Sequence, residues 1–267
     1  MDAVQIDHLI MAFLFFVVAV VYSSVGHAGA SGYSAVMALF NIAPVLMRPT
    51  SLMLNLVVGS IGLYRFQKAG LVNLKVVGPF LITSMPSAYW AAQLNVEKKY
   101  FYLALGLVLL FSGSKLLLSR SVKSESASMK EASLFASLFW GGVIGCLSGI
   151  TGTGGAVFFT PLILKMNWAD PKKAAGLSVV FVLANSIFAL AGIFKSSQFF
   201  DFRLSALWVV AVILGAIVGT HFGVSKFSNN KIQKVLGVVM VVAAVKLLML
   251  GFNSWDWTLA KDSSCFP

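Results

Sequence analysis

The chain has 267 residues, of which 58% are hydrophobic and 11% charged, and its mean hydropathy is +0.88. A soluble domain carries roughly 25% charged residues, so most of this chain has no water-facing side. The net charge of +11 does not point to nucleic acid, because Lys and Arg fall in pairs and triplets between apolar runs, as in cytoplasmic loops.

Taken in order, the N-terminus carries Asp2 and Asp7 without a basic leader region. It does not read as a cleavable signal peptide, and the first helix is expected to stay in the mature protein. An apolar stretch over Leu9–Val25 leads into a Gly-rich break, SSVGHAGASG at 23–32. A short apolar helix is expected at Tyr33–Ile42, then full spans at Val45–Tyr64, Val72–Ala92 and Tyr100–Leu118. The Ser-rich polar stretch Ser119–Ala132 reads as a linker. The series then recurs: Ser133–Ser148, a break CLSGITGTGG at 146–155, a short helix at Ala156–Met166, and spans at Gly176–Phe194, Leu204–Gly223 and Val235–Leu250. Long Leu/Val/Ala/Phe runs without strict alternation exclude a β-barrel, leaving helices as the way to satisfy the backbone in lipid.

The recurrence reads as a duplication. A shift of 123 aligns Gly26 with Gly149, Gly29 with Gly152 and Gly32 with Gly155. A shift of 127 aligns Pro44 with Pro171 and Ser51 with Ser178, and one of 131 aligns Gly106 with Gly237 and Lys115 with Lys246. If each broken pair returns to the side it entered, Lys and Arg divide 13 against 7 between the two sides. The positive-inside rule favours that arrangement, which inverts one half relative to the other and puts both termini outside. The expected fold is therefore an all-α polytopic membrane protein of two inverted-topology repeats, each a broken or re-entrant helix pair plus three transmembrane helices. The expected boundaries are a repeat at 1–118, a cytoplasmic linker at 119–132, a second repeat at 133–251 and a tail at 252–267.

A helix broken inside a membrane exposes backbone N–H groups, tolerable only against protein, water or ligand. The positive ends of two half-helices converging from inverted halves would form an anion site. Candidate contacts are Gly26, His27, Gly29, Ser31 and Gly32 in the first break, and Gly149, Thr151, Gly152, Thr153, Gly154 and Gly155 in the second. The competing reading is that these glycines only let helices pack closely. Ser51 and Asn55, with Gly59, share one helix face, as do Ser178 and Asn185; they line the pathway or make helix–helix hydrogen bonds. His27 hydrogen-bonds substrate, carries a proton, or is satisfied by a carbonyl. Arg65, Lys115 and Lys246 lie near span ends, where snorkelling to the headgroups is the default.

All nine acidic residues fall in loops, linker or tails, which argues against a cation or metal substrate. No Ser-His-Asp order, HExxH, CxxC or P-loop is present, and GxGG in ITGTGGAV lacks a preceding strand. Cys146 and Cys265 define no disulfide framework. No enzyme activity, cofactor or metal is expected.

SGITGTGGAVFFTPLIL at 148–164, followed by DPKKAAGLSVVFVLANSI at 170–187, resembles the sulfite exporter TauE/SafE family of bacterial membrane permeases. The resemblance covers nearly the whole chain. It implies transport of sulfite, sulfoacetate or related sulfur-containing anions, mostly outward, driven by the proton-motive force, across the bacterial inner membrane. The expected partners are the small anion, membrane lipid, protons and a second copy in a homodimer, with no nucleic acid. The family motif falls on Gly149, Gly152, Gly154, Gly155 and Pro161; in the first half Ser31 stands for the third glycine and Ala38 for the proline. Uptake of another small anion, such as a carboxylate, is the alternative, followed by a membrane-embedded enzyme or assembly factor.

Overall fold

The computed structural model describes residues 3–118, 133–196, 206–225, 238 and 240–252. The linker expected at 119–132, Gly237, Cys265 and nearly all of the expected tail lie outside the described residues. Among the described residues every regular element is a helix: α1 Ala3–Ser24, α2 Ala30–Leu39, α3 Pro44–Lys68, α4 Leu74–Gln93, α5 Lys98–Leu118, α6 Leu134–Thr151, α7 Ala156–Lys165, α8 Pro171–Lys195 and α9 Ala206–Ser225, then α10 Met240–Phe252. Five of them, α1, α3, α6, α8 and α9, are long and apolar enough to cross a membrane. The expected interruptions fall between α1 and α2 and between α6 and α7. In each pair the first member is a span-length helix, while α2 and α7 have 10 residues each. Ten residues rise about 15 Å, half of a bilayer core.

The caps of the short helices repeat with a shift of 126. Gly29 and Gly155 are left-handed N-caps with φ of 106° and 81°, and Gly26 and Gly152 are left-handed at 77° and 69°. After each short helix comes an asparagine in the left-handed region, Asn41 and Asn167. The next N–H closes a Schellman turn: Ile42 N donates to Met37 O at 3.0 Å, and Trp168 N to Ile163 O at 2.9 Å. Each long helix that follows begins with proline at its first turn, Pro44 and Pro171, and runs 25 residues. This corrects the alignment drawn from glycines alone. Gly29 pairs with Gly155 rather than Gly152, while Gly32 and Gly149 lie inside helices. In the corrected register Ala28 stands opposite Gly154 and Ala35 opposite Pro161, in place of Ser31 and Ala38.

At the centre α3 and α8 cross antiparallel. Asn55 meets Ser186, Gly59 meets Leu183 and Gly62 meets Val179, partner numbers falling as α3 advances. On the two flanks the packing is parallel and uses glycine at every fourth position. Gly141, Gly145 and Gly149 of α6 lie on the carbonyls of Phe80, Ser84 and Ala88 of α4. Gly215, Gly219 and Gly223 of α9 lie on those of Phe16, Val20 and Ser24 of α1. Helices in lipid gain little from hydrophobic burial against one another, so such backbone contact supplies the packing. Each flank thus joins helices from different halves.

Lys246 departs from the snorkelling expectation. Its Nζ donates to Ala38 O at 2.9 Å, Leu39 O at 3.0 Å and Asn41 Oδ1 at 2.8 Å. The cation therefore caps the C-terminus of α2, where carbonyl lone pairs are left over from the helical ladder and the dipole is negative. Arg65 reaches across to a neighbouring helix, Nη1 donating to Ile217 O of α9 at 2.7 Å on the exposed side of the bundle.

The glycine ladders generate a paired prediction. Gly145→Leu drives a side chain into the Ser84 carbonyl and should cost about 3 kcal/mol or more. Gly78→Ala, in helix with nothing near its β-carbon position, should be neutral or stabilise by about 0.5–1 kcal/mol. Thermal unfolding of both variants in detergent measures the contrast.

Candidate substrate site at the two helix breaks

The N-termini of both short helices reach the midpoints of the long ones. Ala30 N, the first N–H of α2, donates to Asn55 Oδ1 at 3.0 Å, and Asn55 is the twelfth residue of α3. Gly154 of the second break lies against Val182, the twelfth residue of α8, and against Ser186 and Asn55. A β-carbon on Gly154 would sit 2.6 Å from Asn55 Nδ2. Asn55 Nδ2 itself donates to Ser186 Oγ at 3.2 Å. One fully buried amide therefore lies between the two breaks, touching the start of α2 through its oxygen and the α8 wall of the second break through its nitrogen.

A second link joins the first break to α7. His27 Nε2 is 2.7 Å from Thr160 Oγ1, and Thr160 Oγ1 is 2.5 Å from Ser178 Oγ. Ser178 donates onward to Ala174 O at 2.7 Å. Ser178 is buried while His27 and Thr160 are half-buried, so this file of side chains runs from the interior towards an accessible edge. The first half holds the counterpart pair, Ser34 Oγ to Ser51 Oγ at 2.8 Å. Both pairs join the fifth residue of the short helix to the eighth of the long one.

The backbone at both breaks is aimed by left-handed glycines. Gly152, Gly154 and Gly155 all have positive φ, a conformation that costs L side chains roughly 1 kcal/mol or more. The first intrahelical bonds of α7 come from Phe158 and Phe159 N–H to Gly155 O, so the N–H groups of Gly155, Ala156 and Val157 precede the helical ladder. Each break also packs on the other half's long helix: Gly26 on Ala175, and Gly152 on Arg48.

The remaining expected contacts are placed differently. Ser31 Oγ donates to Tyr22 OH at 3.1 Å, which in turn donates to Met240 Sδ at 2.6 Å, towards α1 and α10. Gly32 packs on Val18 and Tyr22. Thr151 and Thr153 pair with each other, Oγ1 to Oγ1 at 2.9 Å, and Thr151 also donates to Leu147 O. Asn185 turns its amide nitrogen back to Phe181 O of its own helix at 3.0 Å. Sequence reasoning did not single out Thr160, Ser34, Ser186 or Arg48. Thr160 sits in the quoted motif just before Pro161, and Ser186 is next to the chosen Asn185, one position round the helix.

The arrangement offers backbone N–H groups, amide and hydroxyls midway along α3 and α8, with no carboxylate among the buried side chains of the described residues. Among the described residues no cluster of metal-binding side chains is present. A family model, sulfite exporter TauE/SafE, matches residues 11–247.

The chain belongs to the TauE/SafE family.

It is 37% identical over 242 residues to the probable membrane transporter protein y4hK of Sinorhizobium fredii, covering 89% of this chain and 97% of that protein. No solved structure matches. Family and relative support membrane transport as the activity, and the apolar helices make this TauE/SafE chain a multi-pass membrane protein.

Asn55→Leu in this TauE/SafE protein keeps the branched outline of the side chain, at somewhat larger volume, and removes the acceptor of Ala30 N–H. A buried donor left unpaired costs about 1–3 kcal/mol. Thermal unfolding should show that loss, and Ser60→Ala on the exposed side of the same helix should show none.

Proposed function

We propose that this chain is a secondary transporter that exports small sulfur-containing anions, sulfite, sulfoacetate or related organosulfonates, across the bacterial inner membrane. The observation that carries the reading is the meeting of both helix breaks at Asn55, which sets two electropositive helix ends beside one buried amide. An anion there takes backbone N–H and hydroxyl donors without competing carboxylates. The sulfur oxyanion class comes from the family, and the donor set is of the kind its oxygens accept.

The antiparallel crossing of α3 and α8, equivalent helices of the two halves, supports an inverted repeat over 1–118 and 133–251. Such repeats alternate access by rocking one half against the other around a fixed site. In this reading Asn55, Ser51, Ser178, Thr151 and Thr153, all buried, become accessible to each side in turn. Both termini face the periplasm, following the charge bias of the loops.

Proton coupling runs through His27. Its file to Thr160 and Ser178 joins a titratable group to α7 and α8 through hydroxyls, and an imidazole ring can take up and release a proton.

The test is sulfite flux from proteoliposomes holding the purified chain, with and without an imposed pH gradient. Wild type should move sulfite, faster with the gradient. Thr153→Val and Gly154→Leu should abolish movement, and His27→Gln should keep downhill movement while losing the response to the gradient. A folded wild type that moves no sulfite overturns the reading.

A further inference from the structure

The helix α3 carries an ionic side chain into the protein. Arg48 is 7% exposed, and among the buried side chains of the described residues it is the one that is ionic. A charge taken out of water needs a counter-charge or a complete set of partners. Arg48 has part of such a set. Its Nη2 donates to Gly149 O at 2.8 Å and Ala92 O at 3.0 Å, carbonyls of the last turns of α6 and α4, where helix dipoles are negative. Its Nε, also buried, meets no acceptor among the described residues. The one ion pair among those residues joins Lys173 to Asp170 elsewhere, and Glu97, beyond the end of α4, is exposed.

The position of this arginine is informative. Arg48, Ser51 and Asn55 are spaced three and four residues apart, so they share one face of α3. The second break runs along that face. A β-carbon on Gly152 would lie 3.0 Å from Arg48 Cα, while one on Gly154 would meet Asn55. In the other half the residue packed against the matching glycine, Gly26, is Ala175. The duplication thus kept one cation for two breaks.

We propose that Arg48 is the charge-bearing residue of the anion site, its open Nε edge taking an oxygen of a bound oxyanion alongside the N–H groups of the second break. This rests on the reading of the breaks as an anion site. The anion supplies the counter-charge that the protein leaves out, and the carbonyls of Gly149 and Ala92 hold the guanidinium in place. The rival role is a clamp, a cation that only ties α4 to α6.

Binding of sulfite, with sulfate and acetate in parallel, is measured by calorimetry and melting temperature on the purified full chain in detergent. In Arg48→Gln the Kd for sulfite should rise at least about tenfold, the loss expected for a charge-assisted hydrogen bond. Arg48→Lys keeps the charge but has no Nε edge, and should fall between. A lower anion-free melting temperature with unchanged Kd in both variants identifies the clamp and overturns the proposal. If none of the three anions binds wild type, the reading of the breaks fails and takes Arg48 with it. If they bind wild type and variants equally, only the arginine assignment fails. Should Arg48→Gln not fold, a wild-type Kd in Arg48→Lys overturns it.

Discussion

A helix interrupted inside a membrane protein leaves N–H groups without intrahelical acceptors, and at the first break this fold supplies one from the middle of α3. The oxygen of Asn55 takes the first N–H of α2, and its nitrogen holds Ser186 beside Gly154. Because the amide is fully buried, each of these bonds forms away from water, where an unmade one is costly. The crossing of α3 and α8 brings the two breaks to the same amide. The glycine ladders of α6 and α9 hold the outer helices close enough for the breaks to face inward.

The two breaks and the helices that follow them are closer in backbone than in chemistry. Left-handed glycines, asparagine turns, proline starts and hydroxyl pairs recur in both halves. Around that shared frame the halves differ: His27 is in the first break and threonines in the second, Asn55 stands where α8 has Val182, and Arg48 where it has Ala175. In the proposed transporter this divides the work. The second break and α3 grip the anion, while the first break and α7 carry the proton file.

Much of this was legible in the chain. Apolar run length and the glycine breaks locate the described helices, with starts as much as six residues off at α1 and five at α8, since both signals reflect local constraints. The register of the repeat was not legible from glycines alone, because Gly32 and Gly149 serve helix packing and mimic the pattern. The caps that fix it, Asn41 and Asn167, carry no glycine and declare themselves only through backbone angles. Arg48 goes unremarked in the sequence and Lys246 reads there as a snorkelling charge, because sequence cannot say whether a cation near a helix end faces water or a neighbouring helix's carbonyls. Thr160 and Ser34 depend on which face a short helix turns to its partner, a matter of tertiary packing that a 10-residue segment does not encode by itself. Substrate choice is legible in neither sequence nor fold, and enters through the family.

The account depends on both interrupted helices ending at one shared point where an anion can sit. An experimental density map of the chain saturated with sulfite tests this most directly. The account predicts added density within hydrogen-bonding reach of the Gly155–Val157 backbone and the Asn55 amide, between the starts of α2 and α7. Density lodged elsewhere, or two breaks separated by an intervening helix, would contradict it.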